Sequence, residues 1–170
     1  MPSEITPRHA RRARLPLRMR PALPDEHALL SRIARSSKAH WGYPAQDLAR
    51  WRSALTVSDE SIARLPTFVA ERDGRILGFF QLRHTREQSE LEHFWVSPSE
   101  IGKGVGRALL AHALREVCAG GRTRLVIDSD PNAEPFYTSC GAVRVGERPA
   151  PSMGQPRRVR PQLVLDARAG

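Results

Sequence analysis

The chain has 170 residues, 40% of them hydrophobic, and a formal net charge of +9. This length suits one domain with a sizeable core, and no apolar run approaches the roughly 20 residues that a membrane-spanning helix needs. The N-terminus also lacks an apolar signal core. We therefore expect a soluble, cytoplasmic protein with no membrane partner, and the two cysteines are too few for a disulfide framework.

Much of the positive charge lies at the N-terminus, where residues 1–20 contain six arginines and one acid, Glu4. A basic arm can bind nucleic acid or a membrane surface, but this one offers few aromatic residues for base recognition. We predict that residues 1–14 form a disordered extension and that residues 15–170 form one domain. A nucleic-acid-binding arm is the alternative. The strong preference for arginine over lysine indicates a GC-rich bacterial genome.

The first part of the chain predicts a strand and two helices. Alternating residues 15–19 suit a strand that ends at Pro21. Asp25 is placed to cap a helix, because apolar residues at helical spacing follow it. Gly42 and Pro44 close that helix, and a second short helix is predicted after Pro44.

A β-hairpin is predicted next. Residues 67–70 and 76–82 are strand-like and flank Asp73-Gly74, a dipeptide typical of tight hairpin turns. Together with a third strand over residues 91–96, they indicate an antiparallel meander.

A glycine-rich loop follows the third strand of this meander. Pro98 ends the strand, and Gly102, Gly104 and Gly106 loosen the backbone. Apolar residues then recur every three or four positions from Val105 onward, which predicts a helix with a broad buried face.

The start of this helix is a predicted anion site. The first amides of a helix have no internal partner and carry the positive end of its dipole, and glycines let a phosphate approach them. Lys103 and Arg107 add formal charge. A glycine-rich turn that merely joins strand to helix is the alternative.

Spacing excludes two classes of phosphate-binding loop. A Walker loop needs Gly-Lys-Ser/Thr, but Lys103 is followed by Gly104. The dinucleotide fingerprint needs a further glycine where this chain has Arg107 or Leu109, although Asp128 imitates its ribose-binding acid. Too few residues follow Asp128 to complete a doubly wound domain.

After the central helix the sequence predicts a strand, a short helix and two more strands. Residues 123–127 are β-branched and apolar. Asn132 is predicted to cap the short helix, because this places Pro135 in the tolerant first turn. Strands are then predicted from residue 143 and over residues 162–165, which indicates a mixed α/β fold.

Residues 101–106 resemble motif A of the GNAT (GCN5-related N-acetyltransferase) superfamily, Gln/Arg-x-x-Gly-x-Gly/Ala. Gly104 and Gly106 match, whereas Ile101 stands where the family usually has Gln or Arg. The resemblance implies that backbone amides hold the pyrophosphate of acetyl-CoA. It also implies a mixed, mainly antiparallel sheet of about six to seven strands flanked by about four helices.

Residues 132–141 resemble GNAT motif B, in which an Asn begins a helix, an aromatic pair follows and a Gly ends it. Asn132, Phe136, Tyr137 and Gly141 match, while Ala142 replaces the usual Phe. The resemblance implies that the Tyr137 hydroxyl donates a proton to the departing CoA thiolate, which a phenol with a pKa near 10 can do at neutral pH. Taken alone, Tyr137 would suit an amphipathic core aromatic.

A general base is expected on the strand before the loop, because the attacking amine must be neutral. Period-two alternation places Glu90 and Glu92 on the face of Phe94 and His93 on the opposite face. By alignment, Glu90 resembles the strand glutamate that serves as base in the histone-acetylating branch. We favour Glu92 over Glu90, acting directly or through water, and His93 is the candidate if the faces are reversed.

The resemblance also implies that the strand backbone at Trp95 and Val96 pairs with the pantetheine arm, and that an amide there meets the oxyanion. The predicted cofactor-binding residues are Phe94, Trp95, Val96, Ile101, Gly102, Lys103, Gly104, Val105, Gly106, Arg107, Asn132 and Phe136.

An acceptor pocket is predicted between the two early helices. His40, Trp41 and Tyr43 form a polar and aromatic loop there, although Trp41 and Tyr43 could instead fill the gap between the helices. No second ligand stands at metal-binding spacing from His40, so we expect no metal.

These features predict an acetyl-CoA-dependent N-acetyltransferase that transfers the acetyl group directly to a small-molecule or peptide amine. The alternatives are an inactive acetyl-CoA sensor, an acyltransferase for a larger acyl group, and a basic nucleic-acid-associated protein. Nucleic acid is expected to bind only through the basic tail, and a homodimer is a further expectation.

Overall fold

The computed structural model describes residues 16–168, so the predicted extension over residues 1–14 lies outside the described part. The strands are β1 (Arg18–Pro21), β2 (Thr67–Arg72), β3 (Arg75–His84), β4 (Ser89–Val96), β5 (Arg124–Asp128), β6 (Val143–Pro149) and β7 (Val159–Asp166). The helices are α1 (His27–Ala39), α2 (Ala45–Arg50), α3 (Asp59–Arg64), α4 (Val105–Ala119) and α5 (Glu134–Ser139).

The seven strands form one sheet in the order β1-β2-β3-β4-β5-β7-β6. Every neighbouring pair is antiparallel except β4 and β5, which run parallel. The predicted α/β class and the mainly antiparallel sheet of six to seven strands are confirmed. Asp73 and Gly74 form the turn between β2 and β3 with positive φ angles, as the hairpin prediction requires.

The helix prediction missed one short element, since residues 16–168 contain five α-helices where about four helices were expected. Ser58 caps α3, and it exchanges capping hydrogen bonds with Ser61. The usual capping sequence has Glu or Gln at the position of Ser61, so the signal was weak. Asp25 does not cap α1, because residues 24–26 form a separate 3-10 turn and α1 begins after them.

The boundaries of two early elements also differ from the prediction. The first strand is shifted from residues 15–19 to Arg18–Pro21 and includes the proline that was expected to end it. β1 is an edge strand, where the missing proline amide is tolerated. The second helix is shorter than expected, since Trp51 follows it rather than lying within it.

Two apolar clusters lie on opposite faces of the sheet. On one face α4 packs over Phe80, Leu82, Leu125 and Leu163, all fully buried. On the other face α1 and α3 pack over Val69 and Phe79. Burying side chains of this size stabilises the fold by about 1.5–3 kcal/mol each.

β4 and β5 are paired only at the start of β4 and then separate. They pair at Ser89 with Leu125 and at Glu90 with Val126, after which β4 continues to Val96 without β5 beside it. The separation opens a cleft in the middle of the sheet.

A β-bulge in β4 changes the predicted side-chain face of Glu90. Gln81 pairs with His93 and Leu82 pairs with Leu91, so Glu92 is an extra residue without a partner on β3. His93 lies on the α1 side and Phe94 on the α4 side, as predicted, but the extra residue moves Glu90 to the side of His93. The prediction that Glu90 shares a face with Phe94 was therefore wrong, because period-two counting fails across a bulge.

Within residues 16–168, no helix has both the length and the apolar character needed to cross a membrane.

Candidate active site

A cleft of about 330 Å³ lies where β4 and β5 separate, bordered by the glycine loop, α5 and the end of α1. It brings together most of the predicted cofactor-binding residues. Those that line it are Phe94, Trp95, Val96, Ile101, Gly102, Gly104, Gly106, Arg107, Asn132 and Phe136.

The glycine loop offers open space and free amides beside this cleft. Gly102 and Gly104 have φ angles of +77° and +87°, and a Cβ on either would meet nothing within 4 Å. In the described residues, the amides of Gly104, Gly106 and Arg107 donate to no backbone acceptor. This set of donors fits a phosphate group. Its oxygens can approach a glycine backbone closely and accept hydrogen bonds from several amides.

The two cations predicted at the loop have different positions. Arg107 lines the cleft and donates to the Ser139 hydroxyl at 3.2 Å, which links α4 to α5. Lys103 instead forms an ion pair with Glu100 at 3.6 Å and does not line the cleft. Val105 is fully buried, so its side chain belongs to the core and its amide alone is available for binding.

Tyr137 lines the cleft from α5. Its ring packs against Phe94 and Phe136, at centroid distances of 5.7 and 5.1 Å, and 5% of the residue is exposed. Burial raises the pKa of Tyr137, and the negative charge of Asp130 adds to the shift. The phenol therefore stays protonated at neutral pH and can donate a proton.

Asn132 precedes α5 but does not cap it, contrary to the prediction. Ala133 is the N-cap residue, and Pro135 lies in the first turn as expected. The Asn132 side-chain amide donates to the Tyr43 hydroxyl at 3.1 Å and to Asp130 Oδ1 at 3.0 Å. Asn132 thus joins the start of α5 to the segment after α1.

Glu92 borders both this cleft and a second cavity, whereas Glu90 lines the second cavity alone. Arg83 donates two hydrogen bonds to Glu92, at 3.1 and 2.8 Å. These bonds lower the pKa of Glu92 and outweigh burial, which acts in the opposite direction. The geometry places Glu92 closer to the cleft than Glu90.

His93 is buried beneath the second cavity. The indole N–H of Trp95 donates to His93 Nδ1 at 3.1 Å, and burial lowers the pKa of His93. A neutral imidazole that accepts at Nδ1 carries its proton on Nε2. His93 therefore has no free lone pair with which to take a proton from an amine.

The three predicted acceptor residues separate in the structure. Trp41 lines the first cleft, and His40 is exposed and lines neither cavity. Tyr43 is buried and packs edge-on against Trp51 at 5.0 Å. Tyr43 thus fills the gap between the helices, as the alternative interpretation anticipated.

Sequence reasoning missed a buried polar cluster around Asp130. Lys38 forms an ion pair with Asp130, and Arg158 donates to the same carboxylate at 3.2 Å. Tyr43 donates to it at 2.9 Å. Burial would raise the pKa of Asp130, but attraction to Lys38 and the hydrogen bonds lower it overall. Lys38 borders both cavities and lies two residues before the predicted acceptor loop, whereas no local pattern around Arg158 indicated a site.

Among residues 16–168, no group of three or more His, Cys, Asp or Glu side chains is placed to hold a metal ion. The expectation of a metal-free site stays a prediction.

Two curated proteins match part of the chain. It is 37% identical over 94 residues to the phosphinothricin N-acetyltransferase of Alcaligenes faecalis, a match that covers 49% of this chain and 47% of that protein. It is 32% identical over 73 residues to the peptidyl-lysine N-acetyltransferase YiaC of Escherichia coli (strain K12), covering 42% and 48%. The chain therefore spans about half the length of these relatives.

Solved structures share the fold. A GCN5-related N-acetyltransferase from Rhodopseudomonas palustris superposes with a TM-score of 0.72 at 20% identity, covering 92% of this chain and 99% of that one. The PaiA N-acetyltransferase from Thermoplasma acidophilum, solved in complex with coenzyme A, has a TM-score of 0.70 at 18% identity, covering 89% and 99%.

The family model described as the acetyltransferase (GNAT) domain matches residues 39–150, which include the glycine loop, β4 and α5. Because this match covers more than half of the sequence, the chain belongs to the GNAT acetyltransferase family.

Proposed function

We propose that the protein is an acetyl-CoA-dependent N-acetyltransferase that moves the acetyl group directly to an amine. The observation that carries the proposal is the convergence, in one cleft, of free glycine-loop amides, a protonated buried tyrosine and the edge of β4 that β5 leaves unpaired. The names of the relatives support acetyl transfer to a nitrogen, both on a small molecule and on a peptidyl lysine.

Acetyl-CoA would lie along the cleft as the donor substrate. The amides of Gly104, Gly106 and Arg107 would donate to its pyrophosphate, and the Arg107 guanidinium would add charge. The backbone of Trp95 and Val96 would pair with the pantetheine arm, since β5 has left that edge of β4. A backbone amide of β4 would then stabilise the oxyanion.

The transfer step needs one base and one acid. The amine nitrogen attacks the thioester carbonyl, a C–N bond forms, and the C–S bond breaks as the tetrahedral intermediate collapses. Glu92 takes the proton released by the amine, directly or through water, and Tyr137 gives its proton to the departing thiolate. Arg83 holds Glu92 in its ionised form, ready to accept.

The first experiment is thermal unfolding of the full chain with and without acetyl-CoA, with NADH and ATP as controls. A ligand at about 100 times its dissociation constant stabilises the folded state by roughly 2.7 kcal/mol, which raises the melting temperature visibly. A rise with acetyl-CoA alone supports the proposal. No rise, or a rise with NADH, would overturn it.

Release of the CoA thiol in the presence of an amine panel then tests catalysis. Turnover with any amine separates an enzyme from a sensor, because an inactive sensor would bind acetyl-CoA and release no thiol with any member of the panel.

A further inference from the structure

A second cavity of about 810 Å³ lies on the other side of β4 from the glycine loop. Lys38, Glu92, Trp95 and Arg160 border both this cavity and the first cleft, so the two spaces adjoin. A molecule in the second cavity can therefore reach an acetyl group held beside β4. The position of the second cavity therefore suits the acceptor amine.

Cations predominate on the wall that β6 and β7 form. Arg148 and Arg160 are paired across these two strands, and they share one carboxylate. Arg148 Nη1 lies 3.9 Å from Asp128 Oδ2, and Arg160 Nε lies 3.3 Å from Asp128 Oδ1. Two guanidinium groups on one carboxylate leave a positive charge without a counterion. Both side chains are about half exposed, so donors remain free to face the cavity.

The opposite wall, formed by β4, carries negative charge. Glu90 and Glu92 line it, and the hydrogen bonds of Arg83 go to Glu92. Glu90 is therefore left to face the cavity as a carboxylate. The cavity is thus positive at β6 and β7 and negative at β4, where the acetyl group would arrive.

We propose that the acceptor is a small amine that carries a carboxylate, such as an amino acid. Its carboxylate lies on Arg148 and Arg160, and its amine points toward Glu92. Guanidinium groups bind carboxylates through charge-assisted, bidentate hydrogen bonds. Glu90 and Glu92 would repel a polyanion such as nucleic acid, so binding of nucleic acid in this cavity is disfavoured. This inference rests on the proposed acetyl transfer and narrows its acceptor.

The test compares matched acceptors with the unmutated protein. The standard L-amino acids and β-alanine are assayed beside their carboxamides, with acetyl-CoA as donor and CoA thiol release as the readout. The carboxamide keeps the amine and removes the negative charge. We expect kcat/KM for the best amino acid to exceed that of its carboxamide at least about tenfold.

Two variants locate the contact. Arg148→Gln should raise the KM for the accepted amino acid about tenfold and leave the KM for acetyl-CoA unchanged, because Arg148 lines the second cavity alone. Arg160→Gln should also raise the KM for the accepted amino acid. This variant replaces Arg148→Gln in the test if Arg148→Gln does not fold. Arg144→Gln is the matched control, since Arg144 also lies on β6 but bonds Glu134 and Glu147 outside the cavity.

Three results would overturn the inference while acetyl-CoA binding stands. The first is an equal kcat/KM for amino acids and their carboxamides. The second is an unchanged KM for the amino acid in both Arg148→Gln and Arg160→Gln. The third is no turnover with any carboxylate-bearing amine, which is expected if the acceptor is a peptide lysine. Loss of the proposed function itself looks different, because acetyl-CoA would then fail to raise the melting temperature of the unmutated protein.

Discussion

Tyr137 shows how burial selects one chemical role for a side chain. Packing among aromatic rings raises its pKa, so the hydroxyl remains a proton donor and cannot serve as a base at neutral pH. A protonated phenol beside a departing thiolate suits the acid role that the family resemblance implied.

Tyr137→Phe removes the hydroxyl and keeps the ring. We expect kcat to fall roughly 100-fold, because general acid catalysis typically contributes at least that factor. The acetyl-CoA-induced rise in melting temperature should persist. Steady-state kinetics and thermal unfolding on the same preparation check both, and equal losses of turnover and binding would contradict the acid role.

Arg83 controls the ionisation of Glu92, which gives the proposed base a pH signature. Arg83→Gln removes the hydrogen bonds that lower the pKa of Glu92, so that pKa should rise. As pH falls, Glu92 will then become protonated sooner, and kcat/KM should begin to decline at a higher pH than in the unmutated protein. The pH profile of kcat/KM is the measurement.

The control for this profile is Arg64→Gln, which breaks a fully surface-exposed ion pair with Glu60 and should not move the decline. Glu92→Gln and Glu90→Gln identify the base, since removing the residue that titrates should lower kcat/KM and leave only the acidic decline that comes from protonation of the acceptor amine. An unmoved profile in Arg83→Gln and Glu92→Gln would assign the base to Glu90 or to water.

Among the elements, β4 has the greatest influence on the site. Its bulge places Glu90 on the same side as His93, where both line the second cavity, whereas Phe94 lines the first cleft. Gly78 on β3 pairs with Val96 at the end of β4, where the backbones approach closely. A Cβ at Gly78 would lie 2.6 Å from the Trp95 carbonyl oxygen.

Gly78→Ala should therefore destabilise the protein by about 2 kcal/mol, because a backbone oxygen cannot move aside without shifting β4. Urea unfolding monitored by tryptophan fluorescence measures this loss. Gly146→Ala is the control, since its Cβ would meet only the flexible end of Gln162, at 3.2 Å. A similar cost at both sites would mean that strand propensity, not the close approach, is responsible.

At the scale of the whole molecule, Asp130 joins segments that are far apart in sequence. Lys38 comes from α1, Tyr43 from the loop after it, and Arg158 from the connection between β6 and β7. All three converge on one carboxylate beside the cleft. The cluster thus links the end of α1, the loop after it and the β6–β7 connection to the segment that precedes α5.

Asp130→Asn should destabilise the fold by about 3 kcal/mol, because it leaves two buried cations without their anion. The free energy of unfolding in urea checks this. Glu60→Gln, which removes one partner of the exposed pair with Arg64, should cost less than about 1 kcal/mol. Comparable small losses in the two variants would show that water compensates the cations near Asp130.

Local patterns were enough to predict much of the fold and most of the glycine-loop and α5 residues that line the first cleft. The Asp73-Gly74 turn, the glycine loop before α4 and the segment from Asn132 to Gly141 are short, and their residues act on the backbone next to them. Turn geometry, free amides and helix periodicity depend on neighbours in sequence, so the sequence alone predicted the meander, the free amides of the glycine loop and the presence of Tyr137 in the same cleft.

The second cavity, which we propose as the acceptor side, depends on the tertiary structure. The bulge at Glu92 arises from pairing with β3 and reverses the face that period-two counting assigned to Glu90. The Asp130 cluster and the Arg148–Arg160 wall join residues that meet only after distant strands and loops have packed. Charges at such sites gain their partners from the folded chain, so no local pattern could reveal which of them face the amine.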